Sequence, residues 1–163
     1  MLLVVYFDTF YKELIKRLQE HNIEFELVKY NNINLDKTYD KVIITGSKKR
    51  ILRENEFPLL EQLVRRKNVN IIGICFGFQY LALKSGGQLA EGKKFVGYRD
   101  NDNMYFNHYD RVVKLPQSLW TNVSRIDEFI NIAATSQWVG FQFHPEKSRE
   151  SFEHYLLPFI VAV

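Results

Sequence analysis

The chain has one cysteine, Cys75, and the stretch around it, NIIGICFGFQYLALKSGG from Asn70 to Gly87, gives that thiol the means to act as a nucleophile. Ile71, Ile72 and Ile74 are the crowded β-branched residues of a short buried strand, whereas Gln79 to Ser85 carries Tyr80, Leu81 and Leu83 on the apolar side of a helix. Cys75 falls where one pattern gives way to the other. A sharp turn from strand to helix presents its central side chain at the strand's end, and it needs small neighbours because the backbone folds back on itself; Gly73 and Gly77 supply them. The unpaired N–H groups and positive dipole end of the following helix favour thiolate over thiol.

A thiolate mechanism also needs a base, and VGFQFHPE offers one. Val139 to Phe143 reads as a strand, so His144 lies just past a strand end, as Cys75 does. A histidine that activates a thiol must be held in one tautomer and orientation, and a carboxylate is the usual third group. Glu146 is two residues on. Pro145 confines His144 to extended backbone and fixes its own φ, which stiffens the spacing from imidazole to carboxylate. Each feature alone has a plainer account: an apolar-flanked cysteine as inert core, and His-Pro-Glu as an exposed turn. Together, at two strand ends, they point to thiol chemistry.

The elements that must position these groups alternate in type. Leu2 to Phe7 reads as a strand; Thr9 can cap a helix with apolar positions Tyr11, Leu14, Ile15 and Leu18. Phe25 to Tyr30 alternates as a strand with Phe25 and Leu27 on one face, and Asn31 to Asp40 is a polar loop. Lys41 to Thr45 is the next apolar strand, ending at Gly46, and Phe57 to Arg66 suits a helix. This order predicts an α/β fold: an open, mostly parallel sheet with helices on both faces, whose functional crevice lies beyond the carboxyl ends of the strands. In the second half, Lys94 to Tyr98, Met104 to Asn107, Arg111 to Leu115, Phe129 to Ala134 and Trp138 to Phe143 are strand-like with few helical spacers, which predicts added antiparallel edge strands. Ser148 to Val163 reads as a helix that buries Phe152, Tyr155, Leu156 and Phe159, with Pro158 near its end.

With 163 residues, 46% hydrophobic, the chain is long enough for one domain with a full core, and no internal repeat or linker divides it, so residues 1–163 are expected to form a single domain. Charged residues make up 25% and are interspersed, and no stretch is apolar for long enough to cross a bilayer, so no membrane partner is expected. The opening MLLVVYFDTFYKELIKRL lacks the basic start and small-residue cleavage site of a secretion signal and meets Asp8 early. One cysteine allows no internal disulfide, consistent with a cytoplasmic setting. Neither thiolates nor acidic residues cluster as metal ligands, so no metal or organic cofactor is expected. The net charge of +3 is modest, and Lys48-Lys49-Arg50 and Arg65-Arg66-Lys67 are short runs that read as solvated faces rather than a nucleic-acid site. No strand is followed by a glycine-rich phosphate loop, which sets aside a dinucleotide-binding domain.

Gly73-Ile-Cys75-Phe-Gly77-Phe-Gln79 resembles the nucleophile motif G-x-C-x-G-x-Q of class I glutamine amidotransferases, and Phe141-Gln-Phe-His144-Pro-Glu146 resembles that family's F-H-P-E motif. The resemblance extends from VVYFDTFYKEL (Val4 to Leu14) through YDKVIITGS (Tyr39 to Ser47) to FNHYDRVVKLP (Phe106 to Pro116), which is similar to the His-Gly-Asp region in the amidotransferase domain of GMP synthetase. It implies a catalytic triad of Cys75, His144 and Glu146 acting on the side-chain amide of glutamine through a thioester. It further implies an oxyanion hole of backbone N–H groups at Phe76 and in the Gly46-Ser47 loop, and substrate contacts from Gln79 and the segment His108-Tyr109-Asp110. Glutamine or another γ-glutamyl amide is then the substrate, and a separate synthetase the recipient of the ammonia.

The same thioester forms from any γ-glutamyl amide, so a stand-alone γ-glutamyl peptidase remains open beside the ammonia-supplying enzyme. A silent binding module of the same fold is the third possibility. Three departures bear on the choice. The glycine pair usual in the oxyanion loop is replaced by Gly46-Ser47-Lys48, Tyr109 stands where relatives have a small residue, and Gly92 to Asn103 looks shortened. Phe78, where histidine is common, is read as an aromatic plug.

Overall fold

Apolar side chains on successive residues of the first strands point to opposite faces, as the two-residue period of a strand requires, and both faces are buried. In β1 (Leu2–Tyr6), Leu3 and Val5 pack on one side while Leu2 and Val4 pack on the other; in β3 (Lys41–Ile44), Val42 and Ile44 oppose Ile43. The computed structural model describes residues 1–51, 57–99 and 104–162. The expected shortening at Gly92 to Asn103 therefore lies partly outside the described residues, at 100–103, as does Val163 of the last helix.

The main sheet contains β1, β2 (Phe25–Lys29), β3, β4 (Asn70–Ile74), β7 (Asn122–Ile126), β8 (Phe129–Ala134) and β9 (Trp138–Phe141), in the order β2-β1-β3-β4-β9-β8-β7. Pairs β1–β2, β1–β3, β3–β4 and β4–β9 are parallel; β8 pairs antiparallel with β9, and β7 with β8. One face is covered by α2 (Pro58–Val64) and α3 (Phe76–Lys84), the other by α1 (Lys12–Glu20) and the last helical segment. The expected architecture is what forms. A separate two-stranded ribbon, β5 (Gln88–Arg99) with β6 (Met104–Lys114), packs Phe95 and Phe106 against Phe129.

Several local expectations are corrected. Thr9 does not cap α1: Tyr11 occupies that position with no side-chain cap, because Asp8 Oδ1 accepts the Phe10 N–H at 3.3 Å and holds the preceding residues in a turn. Leu27 is exposed, since β2 is the sheet's outer strand. Met104 to Asn107 and Arg111 to Leu115 are one continuous strand, β6, with His108 and Asp110 among its buried residues, and β7 was not foreseen. The last helix runs as α4 (Arg149–Ser151), a π-helical turn (Phe152–Leu156) and α5 (Leu157–Val161). Pro158 has no N–H to donate back into the ladder, and the widened turn before it accommodates that loss. Phe152 and Leu156 are buried, but the changed phase leaves Phe159 at the surface.

Candidate active site

Three adjacent parallel strands end side by side: β3 leads to Gly46, β4 to Cys75 and β9 to His144. The register of β3, β4 and β9 places Ile44 beside Gly73 and Ile74 beside Phe141, so the residues beyond them emerge along one edge of the sheet. Cys75 has φ +52° and ψ −102°, a strained conformation for a residue with a side chain, and its N–H donates to the Phe141 carbonyl at 2.6 Å. Such strain persists where the surroundings over-determine it. A Cβ on Gly77 would lie 2.2 Å from the Ile44 carbonyl oxygen, and one on Gly73 would lie 2.6 Å from the Gly77 carbonyl carbon. Only glycine permits the turn to pack this tightly.

His144 is buried at the end of β9, its backbone N–H donating to the Tyr105 carbonyl at 2.7 Å. Its Nδ1 pairs with Glu146 Oε2 at 3.1 Å, which directs the proton of the neutral ring to Nδ1 and leaves the Nε2 lone pair free; Nε2 has no hydrogen-bond partner among the described residues. Arg17 of α1 donates to the carbonyls of Glu146 (3.2 Å) and Lys147 (3.3 Å), fixing the short turn that presents the carboxylate. Phe10 stacks on the imidazole with ring centres 5.7 Å apart. A Cβ on Gly46 would come within 2.7 Å of Cε1, so this glycine makes room for the ring. Burial disfavours the imidazolium, but the Glu146 carboxylate and the Cys75 sulfur outweigh it and hold His144 well above its ordinary 6.5. Imidazole and sulfur are thus electrostatically joined.

The loop after β3 is clamped by Asp8 at the end of β1. Asp8 Oδ2 accepts from Ser47 Oγ and from the Lys48 N–H, both at 2.9 Å, and Ser47 Oγ accepts the Lys49 N–H at 3.0 Å. The Lys48 and Lys49 N–H groups are therefore engaged. Those of Gly46 and Ser47 have no partner among the described residues, and Phe76 sits at the first position of α3, where the helix supplies no acceptor for its N–H.

Cys75 opens on a pocket of about 320 Å³ whose rim carries Lys48, Lys49, Arg50 and Lys94. A second pocket of about 280 Å³ opens on His144 and Glu146 from the other side; Phe10 and Asn107 line both. Gln79, expected as a substrate contact, lines the first pocket but is buried, and its Nε2 donates to the Asp110 carbonyl at 2.7 Å. Asp110 is also buried, its carboxylate held by Arg50, which in turn reaches Glu91 at 2.7 Å. His108 lies among Phe95, Phe106 and Phe129, and burial, helped by the Arg111 guanidinium, pushes it down to about 4, so it is neutral at pH 7. Tyr109 is 44% exposed and lies under the Arg50 guanidinium. Phe78 fills the space against Gly140 and Trp120.

Sequence reasoning missed Asp8, Phe10, Asn107 and Gln142. Cys75 Sγ lies 3.7 Å from the Asn107 carbonyl and 3.7 Å from Gln142 Nε2. A signal existed for Gln142, since a lone amide between two phenylalanines of a core strand needs buried partners.

A model of the family described as glutamine amidotransferase class-I matches residues 2–162. The chain is 29% identical over 171 residues to a GMP synthase (glutamine-hydrolyzing) of Clostridium acetobutylicum, covering 90% of this chain and 33% of that protein. It is 28% identical over 174 residues to the protein of that name from Aquifex aeolicus, covering 93% and 34%. The chain spans about a third of the length of these relatives. A solved Thermoplasma acidophilum chain, described as a candidate component of GMP synthase, shares the fold with a TM-score of 0.77 at 19% identity, covering 94% of this chain and 91% of that one. A glutamine amidotransferase from Thermotoga maritima does so with a TM-score of 0.70 at 20% identity, covering 94% and 79%.

Proposed function

The chain belongs to the class I glutamine amidotransferase family, and from that premise we propose that residues 1–163 act as one amidotransferase domain that releases ammonia from glutamine for a separate synthetase. The observation that carries this reading is the convergence of Gly46, Cys75 and His144 at three neighbouring strand ends, with Glu146 on His144 Nδ1.

In this reading His144 Nε2 takes the Cys75 proton and the sulfur attacks the side-chain carbonyl carbon of glutamine. The resulting oxyanion is held by N–H groups of Phe76 and of the Gly46-Ser47 segment, each donor lowering the barrier by about 3 kcal/mol. As the tetrahedral intermediate collapses, His144 passes its proton to the departing nitrogen and ammonia leaves. His144 then takes a proton from water, which attacks the thioester; glutamate departs and the thiol is restored. Glu146 keeps the ring oriented throughout. The cationic rim suits the α-carboxylate of the substrate. The named relatives support glutamine as the amide and a GMP synthase-type synthetase as recipient.

The test is release of glutamate and ammonia from glutamine, with γ-glutamyl peptides in parallel, each with and without a GMP synthase-type synthetase. Turnover of glutamine that rises with the synthetase is the expected result; preference for peptides would convert the reading to a γ-glutamyl peptidase. A glutamine-mimicking electrophile is expected to add to Cys75 and not to Cys75→Ser. An unmodified wild-type mass, with no product from any amide, would leave a silent binding module.

A further inference from the structure

We propose that Gln142 is a further catalytic residue, donating an N–H to the reacting sulfur of Cys75, and that Gln79 acts through it as a positioning residue. This rests on the thiol chemistry proposed above and adds a group to it.

Gln142 follows β9 between Phe141 and Phe143, fully buried, with its backbone N–H bound to the Asn131 carbonyl at 2.9 Å. The two phenylalanines pack into one core face, and the amide between them turns to α3, where it meets Gln79 and comes within reach of the Cys75 sulfur at the sheet's edge. A carboxamide in such a place is costly unless its donors and acceptor are matched. Nε2 lies 3.7 Å from Cys75 Sγ, and Oε1 lies 3.5 Å from Gln79 Nε2. Gln79 Nε2 in turn donates to the Asp110 carbonyl at 2.7 Å.

The polarity of this chain of amides is set at its far end. A backbone carbonyl only accepts, so Gln79 must turn its NH₂ toward Asp110; the second N–H of that group then meets Gln142, which must answer with its oxygen. Gln142 is left with its own NH₂ facing the sulfur. Asp110 cannot drift, because Arg50 grips its carboxylate.

The consequence is chemical. The sulfur also faces the Asn107 carbonyl at 3.7 Å, an acceptor that suits a thiol and opposes a thiolate. When the proton passes from Sγ to His144 Nε2, the negative charge remains in a largely buried place where a donor counts for more than in water. Gln142 supplies that donor before substrate arrives. The Phe76 and Gly46-Ser47 amides serve the later charge on the substrate oxygen.

The test is the pH dependence of alkylation of Cys75 by iodoacetamide in the intact protein, read by mass, since the chain has no other cysteine. The charged and titratable groups around the sulfur among the described residues are His144 backed by Glu146, His108, Tyr109 and Asp110 of β6, Lys48, Lys49 and Arg50 after β3, and Lys94 of β5, and the variants leave all of them in place. Gln142→Glu, close in shape, puts a negative acceptor against the sulfur and is expected to raise the midpoint by about one unit or more, about a tenfold loss of thiolate at a given pH. Gln142→Met removes the donor alone and shifts it less. Gln79→Met, which leaves Gln142 free to turn over, shifts it least but in the same direction, and serves if the Gln142 variants do not fold. Midpoints unchanged in folded variants would overturn the proposal. Alkylation needs no glutamine, so a donor-dependent midpoint without amide hydrolysis would sink only the proposed function, and hydrolysis with an unmoved midpoint would sink only this inference.

Discussion

The centre of the site and its rim meet at one pocket but are built from different materials. The centre is set by glycines in close contact with their neighbours: a Cβ on Gly140 would lie 1.9 Å from the Phe78 ring, and one on Gly77, Gly73 or Gly46 would lie 2.2, 2.6 or 2.7 Å from its nearest neighbour. The rim is made of long charged side chains from the loop after β3 and from the β5–β6 ribbon, tied by the Arg50 pairs with Asp110 and Glu91 and by cations over Tyr109. Packed backbone has few ways to give, whereas exposed lysines reorient at small cost. The contrast assigns rate to the centre and affinity to the rim, and substitutions on each side test it.

The largest effect is expected at Glu146. Glu146→Ala leaves His144 without the partner that fixes its tautomer, and kcat should fall about 10³-fold, less than for a serine nucleophile because a thiol ionises more readily. Stability carries its own signature. His144 has a folded value raised above 6.5, so its pairing stabilises the fold fully below that pH and the contribution fades as pH rises through the folded value. The stability gap between wild type and Glu146→Ala should therefore narrow as the pH rises above 6.5 in denaturant titrations. A gap that widens would contradict the pairing.

Gly46→Ala comes next. Its Cβ would stand 2.7 Å from His144 Cε1, with Phe10 stacked on the ring, so the imidazole must move. A displacement of this kind costs about 10² in kcat. Steady-state kinetics should show that loss with KM little changed; a change confined to KM would erase the division between centre and rim.

How much of this could be read from the sequence tracks the same division. The Cys75 turn was legible because its signals are local: crowded isoleucines, two glycines at fixed offsets and a helical face beyond. His144 and Glu146 were legible because proline stiffens three consecutive residues. β6 was misread as two strands because His108 and Asp110 point inward, breaking the apolar alternation that identifies a strand. Phe159 was misplaced because a π-helical turn adds a residue to the helix and rotates the residues beyond it by about 100°. Gln142 hid in plain view between Phe141 and Phe143, since its partners Gln79 and Asp110 lie far away in the chain. The Asp8 clamp spans 39 residues to Ser47, and no periodicity reports a contact of that separation.

That clamp joins the two regions and gives an intermediate prediction. Asp8→Ala releases Ser47 and the Lys48 N–H together, and a loop freed at both points should hold the proposed oxyanion donors less well. We expect kcat to fall about tenfold, with a smaller rise in KM because the same loop carries rim lysines. Asp8→Asn keeps an acceptor for the Lys48 N–H and should recover part of the loss. If both variants kept wild-type kcat, the donor segment would be rigid without the clamp.

The smallest effect belongs to the rim. Lys48 and Lys94 are exposed residues lining the pocket that opens on Cys75. An ammonium near an exposed carboxylate contributes roughly 0.2–1 kcal/mol, so Lys48→Ala should raise KM for glutamine by about 1.4- to fivefold with kcat unchanged. Because the attraction acts through solvent, raising the salt concentration should bring the wild-type KM toward that of the variant, whereas Gly46→Ala, whose defect is steric, should not respond to salt. That difference in salt response separates rim from centre more sharply than the magnitudes do. A salt-independent KM in wild type would mean that the α-carboxylate is held by backbone amides and that the lysines only surround it.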